Sequence, residues 1–325
     1  MFIPILLFTV GLFLLIKGGD MFVDGSVGIA KYFKIPELII GATVVSLGTT
    51  LPEVSVSVIS ALNGHGELSY GNAIGSVICN TALIAAISIT VRPVKIERKP
   101  LIIPVLFFFI SAIVYSLNVY CFGFFGKTLG CILLGLFALY MVLTVKNALN
   151  EKNTIEHVAQ RNLMGNEKII LLKDFIFLIV GAGIIAIGSN LLVDNGVKIA
   201  ELFGVPESVI ALTFVALGTS LPELVTAIMS LVKGHGALSL GNIVGANLFN
   251  VVLVSGAAMT VSPFEVPSNK EFFGINSSLI IDIPLMMFVM AFLTLPALLK
   301  GKLSRYQGVI LLTVYVIFCA IQFVM

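Results

Sequence analysis

Charge is what this sequence has least of. Only 11% of its 325 residues are Asp, Glu, Lys or Arg, whereas soluble globular domains carry about 25%. So few charges cannot cover a water-facing surface. With 58% hydrophobic residues and a mean hydropathy of +1.10, the chain reads as an integral membrane protein. Groups for thiol, imidazole and covalent chemistry are also scarce. The four cysteines, Cys79, Cys121, Cys131 and Cys319, have no paired spacing and lie in apolar segments, which argues against a disulfide framework. No His or Cys stands at a ligand spacing, so zinc and copper are not expected. The absence of an H-E-x-x-H motif and of a nucleophile–base pair argues against an enzyme. A net charge of +2 spread over loops offers nothing to nucleic acid. The N-terminal run "MFIPILLFTVGLFLLIKGGD" lacks the basic start and small-residue cleavage site of a leader, and is expected to stay as a span.

What the chain does have is apolar runs of bilayer length, about 20 residues each. Cut at charges and turn signals they are 2–30, 38–62, 69–91, 100–118, 124–146, 173–202, 208–232, 239–261, 277–298 and 305–324. An all-α integral membrane protein of ten transmembrane helices is therefore expected. The first and sixth runs exceed one bilayer thickness and carry Asp24 and Asp194 near their far ends. They are expected to be long and tilted.

The two halves repeat. "SLGTTLPE" (Ser46 to Glu53) returns as "ALGTSLPE" (Ala216 to Glu223), and "GHGELSYGNAIGSVICN" (Gly64 to Asn80) as "GHGALSLGNIVGANLFN" (Gly234 to Asn250). Glu53 and Glu223 fix the register at 170 positions. Residues 1–146 and 173–325 are expected to be two five-helix repeats joined by a short polar linker, 147–172. An odd number of spans per repeat inverts the second copy, an architecture of secondary transporters with the site at the midplane. Lys31, Lys34, the Arg92–Lys99 group, Lys146, the basic residues of the linker, Lys233 and the Lys300–Arg305 group share one side, against Lys127, Lys198 and Lys270 on the other. The positive-inside rule then places the linker in the cytoplasm and both termini outside a cell membrane.

Chemistry concentrates where the greasy runs are interrupted. Pro52 and Pro222 have no N–H and clash with the preceding turn, and Gly48 and Gly218 loosen that turn, so both helices are expected to break there. "GNAIG" and "GNIVG" read as a second pair of breaks. Broken helices survive in a bilayer only where the freed backbone is buried or lines a cavity, and freed carbonyls are cation ligands. Around the breaks stand Thr49, Thr50, Glu53, Asn72, Ser76 and Asn80 in one half, and Thr219, Ser220, Glu223, Asn242 and Asn250 in the other. All of these side chains offer oxygen, which suits hard cations such as Ca²⁺ and Na⁺. A carboxylate at midplane depth costs at least about 2.5 kcal/mol on insertion scales and marks function by default. Glu53 and Glu223 together carry −2, which one Ca²⁺ or two Na⁺ would neutralise. His65 and His235, in matching "GHG" turns, read as turn residues. Asn72 and Asn242 read equally as ligands or as ties across the break.

These motifs resemble the two α-repeats of the sodium/calcium exchanger family, within the cation/Ca²⁺ antiporters and near their compact bacterial YrbG-like branch. The first motif covers about 41–84 and the second about 211–254. The resemblance implies ten helices, with the second, third, seventh and eighth forming the ion-binding core and the first and sixth sliding across it. It implies that Glu53 and Glu223 ligate calcium and that Thr49 and Thr219 add backbone carbonyls. Thr50 and Ser220 would flank sodium with hydroxyls, and Ser46 and Ala216 would donate carbonyls one turn earlier. Ser76 would ligate sodium, with Asn80 and Asn250 central. Two positions depart from the family pattern. Ala246 stands where a second serine is expected, and Asn250 where many exchangers carry aspartate. The implied activity is antiport of Na⁺ against Ca²⁺ by alternating access, with Ca²⁺/H⁺ exchange as the alternative. No cofactor and no obligate protein partner are implied, the partners being inorganic cations and membrane lipid, and a monomer is expected.

Overall fold

The computed structural model describes residues 2–156, 166–202, 216–267, 271–272 and 275–324. The stretch 203–215, with the start of the expected seventh span and the first residues of the second motif, lies outside them. The helices are α1 (Phe2–Phe33), α2 (Glu37–Leu62), α3 (Gly66–Val91), α4 (Arg98–Phe122), α5 (Lys127–Glu156), α6 (Asn166–Leu202), α7 (Ala216–Thr219), α8 (Leu221–Val232), α9 (Gly236–Val261), α10 (Ser278–Lys300) and α11 (Arg305–Val324). Nine of them, among the described residues, are long and apolar enough to cross a membrane. α5 runs on to Glu156 and α6 begins at Asn166, so much of the expected linker extends the flanking helices.

Four two-residue strands join the helix ends. β1 (Phe124–Phe125) pairs antiparallel with β2 (Phe264–Glu265), and β3 (Glu271–Phe272) with β4 (Ile275–Asn276). Gly123, at φ +62°, ends α4 in the left-handed conformation that spares it a Cβ clash, and its carbonyl accepts from the Val266 N–H at 3.1 Å.

Two seams organise the packing. Lipid tails give helices no hydrophobic reason to associate, so membrane helices rely on small residues that let backbones touch. On α1, Gly11, Gly18 and Gly25 recur every seven residues and lie against Gly188 and Leu192, Ile184 and Ile185, and Asp174 and Leu178 of α6. On α6, Gly181 and Gly188 meet the α1 backbone in return. The second seam joins the halves of the sequence. Gly241 and Gly245 of α9 lie on the Leu38 carbonyl and on the Ala42 backbone of α2, and Gly41 lies on the Leu238 carbonyl. α9 is thus the most enclosed span, and α3 follows it.

The helix irregularities are not all where the sequence placed them. α2 runs unbroken from Ser46 to Leu62 through Pro52. A proline inside a helix removes one i to i−4 bond, here the one to the Gly48 carbonyl, without ending the helix. The loosened turn lies upstream, where Gly41–Val45 is π-helical. Its carbonyls find partners, since Tyr140 of α5 donates to the Ala42 carbonyl at 2.8 Å and Ser46 to the Gly41 carbonyl at 2.7 Å. "GNAIG" and "GNIVG" are not breaks either. Both lie inside continuous helix, Gly66–Cys79 and Gly236–Phe249, and in the second copy the glycines serve close packing. The expected break does occur at Pro222. α7 stops at Thr219, Ser220 turns, and α8 starts at Leu221 with Pro222 in its first turn, where the missing N–H costs nothing. Ser189 of α6 donates to the Gly218 carbonyl at 3.1 Å.

Candidate functional site

Two π-helical turns mark the site, and no sequence signal announces them. One begins at Asn80 (Asn80–Ala85) and the other at Asn250 (Asn250–Val254). They are equivalent in the 170-residue register. A π-turn widens the helix by one residue, leaves carbonyls underbonded and recurs at functional sites. The Asn250 turn packs against α2, which carries Glu53, and the Asn80 turn against α8, which carries Glu223. Each half therefore places its asparagine against the other half's acid.

Glu53 and Glu223 are fully buried, and their carboxylates are near enough to repel one another. None of the four carboxylate oxygens has a hydrogen-bond partner. The Thr50 and Ser220 hydroxyls and both carboxamide atoms of Asn80 and of Asn250 are likewise buried and unpartnered. A buried polar atom without a partner costs about 1–3 kcal/mol, more for a charged group. A cluster of them around two like charges is stable only when something positive binds among them. The donor set is oxygen throughout, which fits Ca²⁺ and Na⁺. Among the described residues there is no group of three or more His, Cys, Asp or Glu that could hold a metal ion.

The remaining expected residues fall around this core. Thr49 is buried in α2 beside Glu223, and its hydroxyl donates to Asn242 Oδ1 at 3.2 Å. Ser46 is buried and its hydroxyl reaches Asn242 O at 2.9 Å, leaving only its carbonyl for an ion. Ser76 is buried one turn before Asn80. Thr219 is partly exposed at the end of α7, and Ala216 begins that helix. Ala246 is buried and contributes no hydroxyl. The two asparagines that were open between roles are both ties. Asn72 donates to the Glu53 carbonyl at 3.1 Å and to Ser57 Oγ at 2.9 Å, holding the acid's backbone. Asn242 instead crosses to Ser46 and Thr49, because Ala227 stands where Ser57 would be in register.

A cavity of about 20 Å³ adjoins the site, lined by Thr49, Pro52 and Pro222 and closed by Phe22 of α1 and by Ala182, Ile185 and Ala186 of α6. It holds about one water-sized particle, and α1 and α6 together wall it off on one side. A further polar knot was missed from sequence. Asn247 donates to Thr81 Oγ1 at 2.7 Å and to Met290 Sδ at 3.1 Å, tying α9 and the Asn80 turn to α10. The only sequence signal for it is that Asn247 faces Val77 in register, a polar residue without a matching copy.

Comparison with known proteins agrees with this geometry. The family model described as sodium/calcium exchanger protein matches residues 3–146 and 173–324. The chain is 35% identical to the inner membrane protein YrbG of Escherichia coli over 80% of each chain. It is 28% identical to the sodium/calcium exchanger MaX1 of Methanosarcina acetivorans over 98% of each. A solved structure of the sodium–calcium exchanger NCX_Mj, soaked with Na⁺ and Sr²⁺, matches 98% of both chains with a TM-score of 0.81 at 29% identity.

Proposed function

The chain belongs to the sodium/calcium exchanger family, a multi-pass membrane exchanger of inorganic cations, and from that premise we propose that it moves Na⁺ against Ca²⁺ by alternating access. The observation that carries this reading is the buried pair Glu53 and Glu223, near enough to repel one another and with all four oxygens unpartnered. One Ca²⁺ or two Na⁺ would neutralise the pair. With neither bound, −2 of buried charge opposes closure, and that difference enforces exchange rather than leak.

In this reading Glu53 and Glu223 are the calcium ligands, joined by the Thr49 and Thr219 carbonyls. Sodium takes Thr50, Ser220, Ser76, Asn80 and Asn250, with the Ser46 and Ala216 carbonyls. Two inverted repeats, 1–146 and 173–325, supply one half of the site each. The distribution of Lys and Arg puts the linker in the cytoplasm and the termini outside. With an inward sodium gradient the protein, working as a monomer, extrudes calcium.

The neutral Asn250 and the missing hydroxyl at Ala246 favour two Na⁺ per Ca²⁺. A third Na⁺ would leave +1 uncompensated, and a reversal potential in proteoliposomes indicating three Na⁺ would refute the two-for-one ratio. Restoring an acid by Asn250→Asp is expected to lower the Na⁺ concentration at half-maximal exchange severalfold. An unchanged Na⁺ dependence would count against a sodium ion at Asn250.

The same two carboxylates could carry protons instead. In liposomes with a fixed pH gradient, replacing external Na⁺ by choline is expected to stop Ca²⁺ flux. Flux that persists and follows the pH gradient would establish the proton version.

A further inference from the structure

Lys233 caps the end of α8, the helix that carries Glu223, and its ammonium points at α1. Its Nζ lies 2.6 Å from Asp20 Oδ1, 2.5 Å from Asp24 Oδ1 and 3.0 Å from the Asp20 carbonyl. An ammonium has three N–H donors, and α1 takes all three. Burial works against the charge of the largely enclosed Lys233, and Asp20 and Asp24 more than restore it, so its pKa stands above the ordinary lysine value. The ammonium stays charged throughout the physiological range.

α1 is no ordinary neighbour of α8. It is locked by glycine contacts to α6, and Phe22, between the two aspartates, closes the small cavity beside Pro52 and Pro222. The lysine therefore fastens the wall nearest the site to one of the two helices that carry its charge.

The sequence register shows what stands at the mirror-related place, between α6 and the end of α2. Asp20 corresponds to Asn190, Asp24 to Asp194 and Lys233 to Asn63. One acid is kept and the lysine is not. Lys198 lies near Asp194 but on α6 itself, so it cannot join α6 to another element. When inverted repeats exchange conformations to alternate access, the first state gains a cation bridge that its mirror image cannot form.

We propose that Lys233, Asp20 and Asp24 form a one-sided latch that holds α1 against the Glu223 helix and biases the exchanger toward the state closed on the side where Lys233 lies. The latch rests on the alternating-access reading above and adds to it a reason for the two states to be unequally populated. Exposed ion pairs are individually weak, so the bias is small enough for bound ions to overcome, as a transporter that must cycle requires.

The test uses the full chain in liposomes sorted by orientation, reading the ratio of half-saturating Ca²⁺ concentrations from the two faces. Lys233→Asn copies the residue found in the first repeat. It is expected to improve access from the Lys233 side, shifting the ratio roughly three- to tenfold. Asn63→Lys is expected to shift it the opposite way, and the double variant to move the preference to the other face. Hydrogen exchange should rise around Asp20 and Asp24 in Lys233→Asn. A folded Lys233→Asn with an unchanged ratio would overturn the latch. If that variant does not fold, Asn63→Lys alone decides, and an unshifted ratio there overturns it equally. Wild-type Ca²⁺ flux that needs no counter-ion would instead refute the antiport reading beneath it.

Discussion

Glu53→Gln and Glu223→Gln are each expected to abolish Ca²⁺ exchange while leaving a folded protein in the membrane. Each swap keeps the size of the side chain and removes one of two buried carboxylates near enough to repel one another. Leaving a buried charge without its partner costs about 3–5 kcal/mol, and every 1.4 kcal/mol is tenfold in affinity, so Ca²⁺ binding should fall by about two to three and a half orders of magnitude. The stability effect runs the other way. With no ion present, and at a pH high enough to ionise both carboxylates, they repel, so either glutamine variant should then melt at a higher temperature than wild type in ion-free detergent. The wild type should gain stability as Ca²⁺ is added, by about 2.7 kcal/mol at a hundredfold excess over Kd, and the variants should gain none. Normal uptake by either variant, or Ca²⁺-dependent stabilisation equal to wild type, would remove the central claim about the site.

Gly245→Val should be nearly as damaging without removing any proposed ligand. A Cβ at Gly245 would collide with Ser46 Oγ and with the Ala42 Cα and carbonyl. Its two methyls would then part α9 from α2. Overpacking a tight core typically costs about 1–3 kcal/mol, occasionally more. Here it also severs the Ser46 and Thr49 contacts to Asn242, which hold the Glu53 helix against the other half. The expected result is a lower melting temperature and loss of transport. Gly135→Val, at an exposed glycine of α5 with no neighbouring atoms in reach, should change neither. Equal behaviour of the two variants would show that the seam carries no special load.

The outline of this protein was legible in its sequence for simple reasons. Bilayer thickness converts directly into run length, so most of the long helices stand within a few residues of their apolar runs, α5 and α6 alone reaching well into the linker, and the 170-residue register pairs the Asn80 and Asn250 turns. The acids were legible because a lone carboxylate in an apolar run has few innocent explanations. Backbone detail was not. Pro52 and Pro222 sit in nearly identical octapeptides, yet α2 continues through one and the chain breaks at the other. Local sequence alone does not decide this, since tertiary contacts differ between the two copies: upstream of Pro52 the helix is π-helical at Gly41–Val45, where Tyr140 from another helix meets the Ala42 carbonyl. The glycines of "GNIVG" read as a helix break in the sequence and provide contact in the structure, since their role depends on what lies opposite. Asn242 was undecided for the same reason, its partners Ser46 and Thr49 lying almost two hundred residues away in the chain.

The seven-residue glycine spacing on α1 has a mechanical consequence. Two helices pressed backbone to backbone along Gly11, Gly18 and Gly25 cannot slide independently, so the pair behaves as a single beam spanning both faces of the membrane. Tilting such a beam away from the core at one end presses it toward the core at the other. A pathway open at both ends would need the beam to bend or split, and its seam resists both. In the alternating-access reading, the stiffness of one composite part then prevents leak, with no need for two gates to signal to each other.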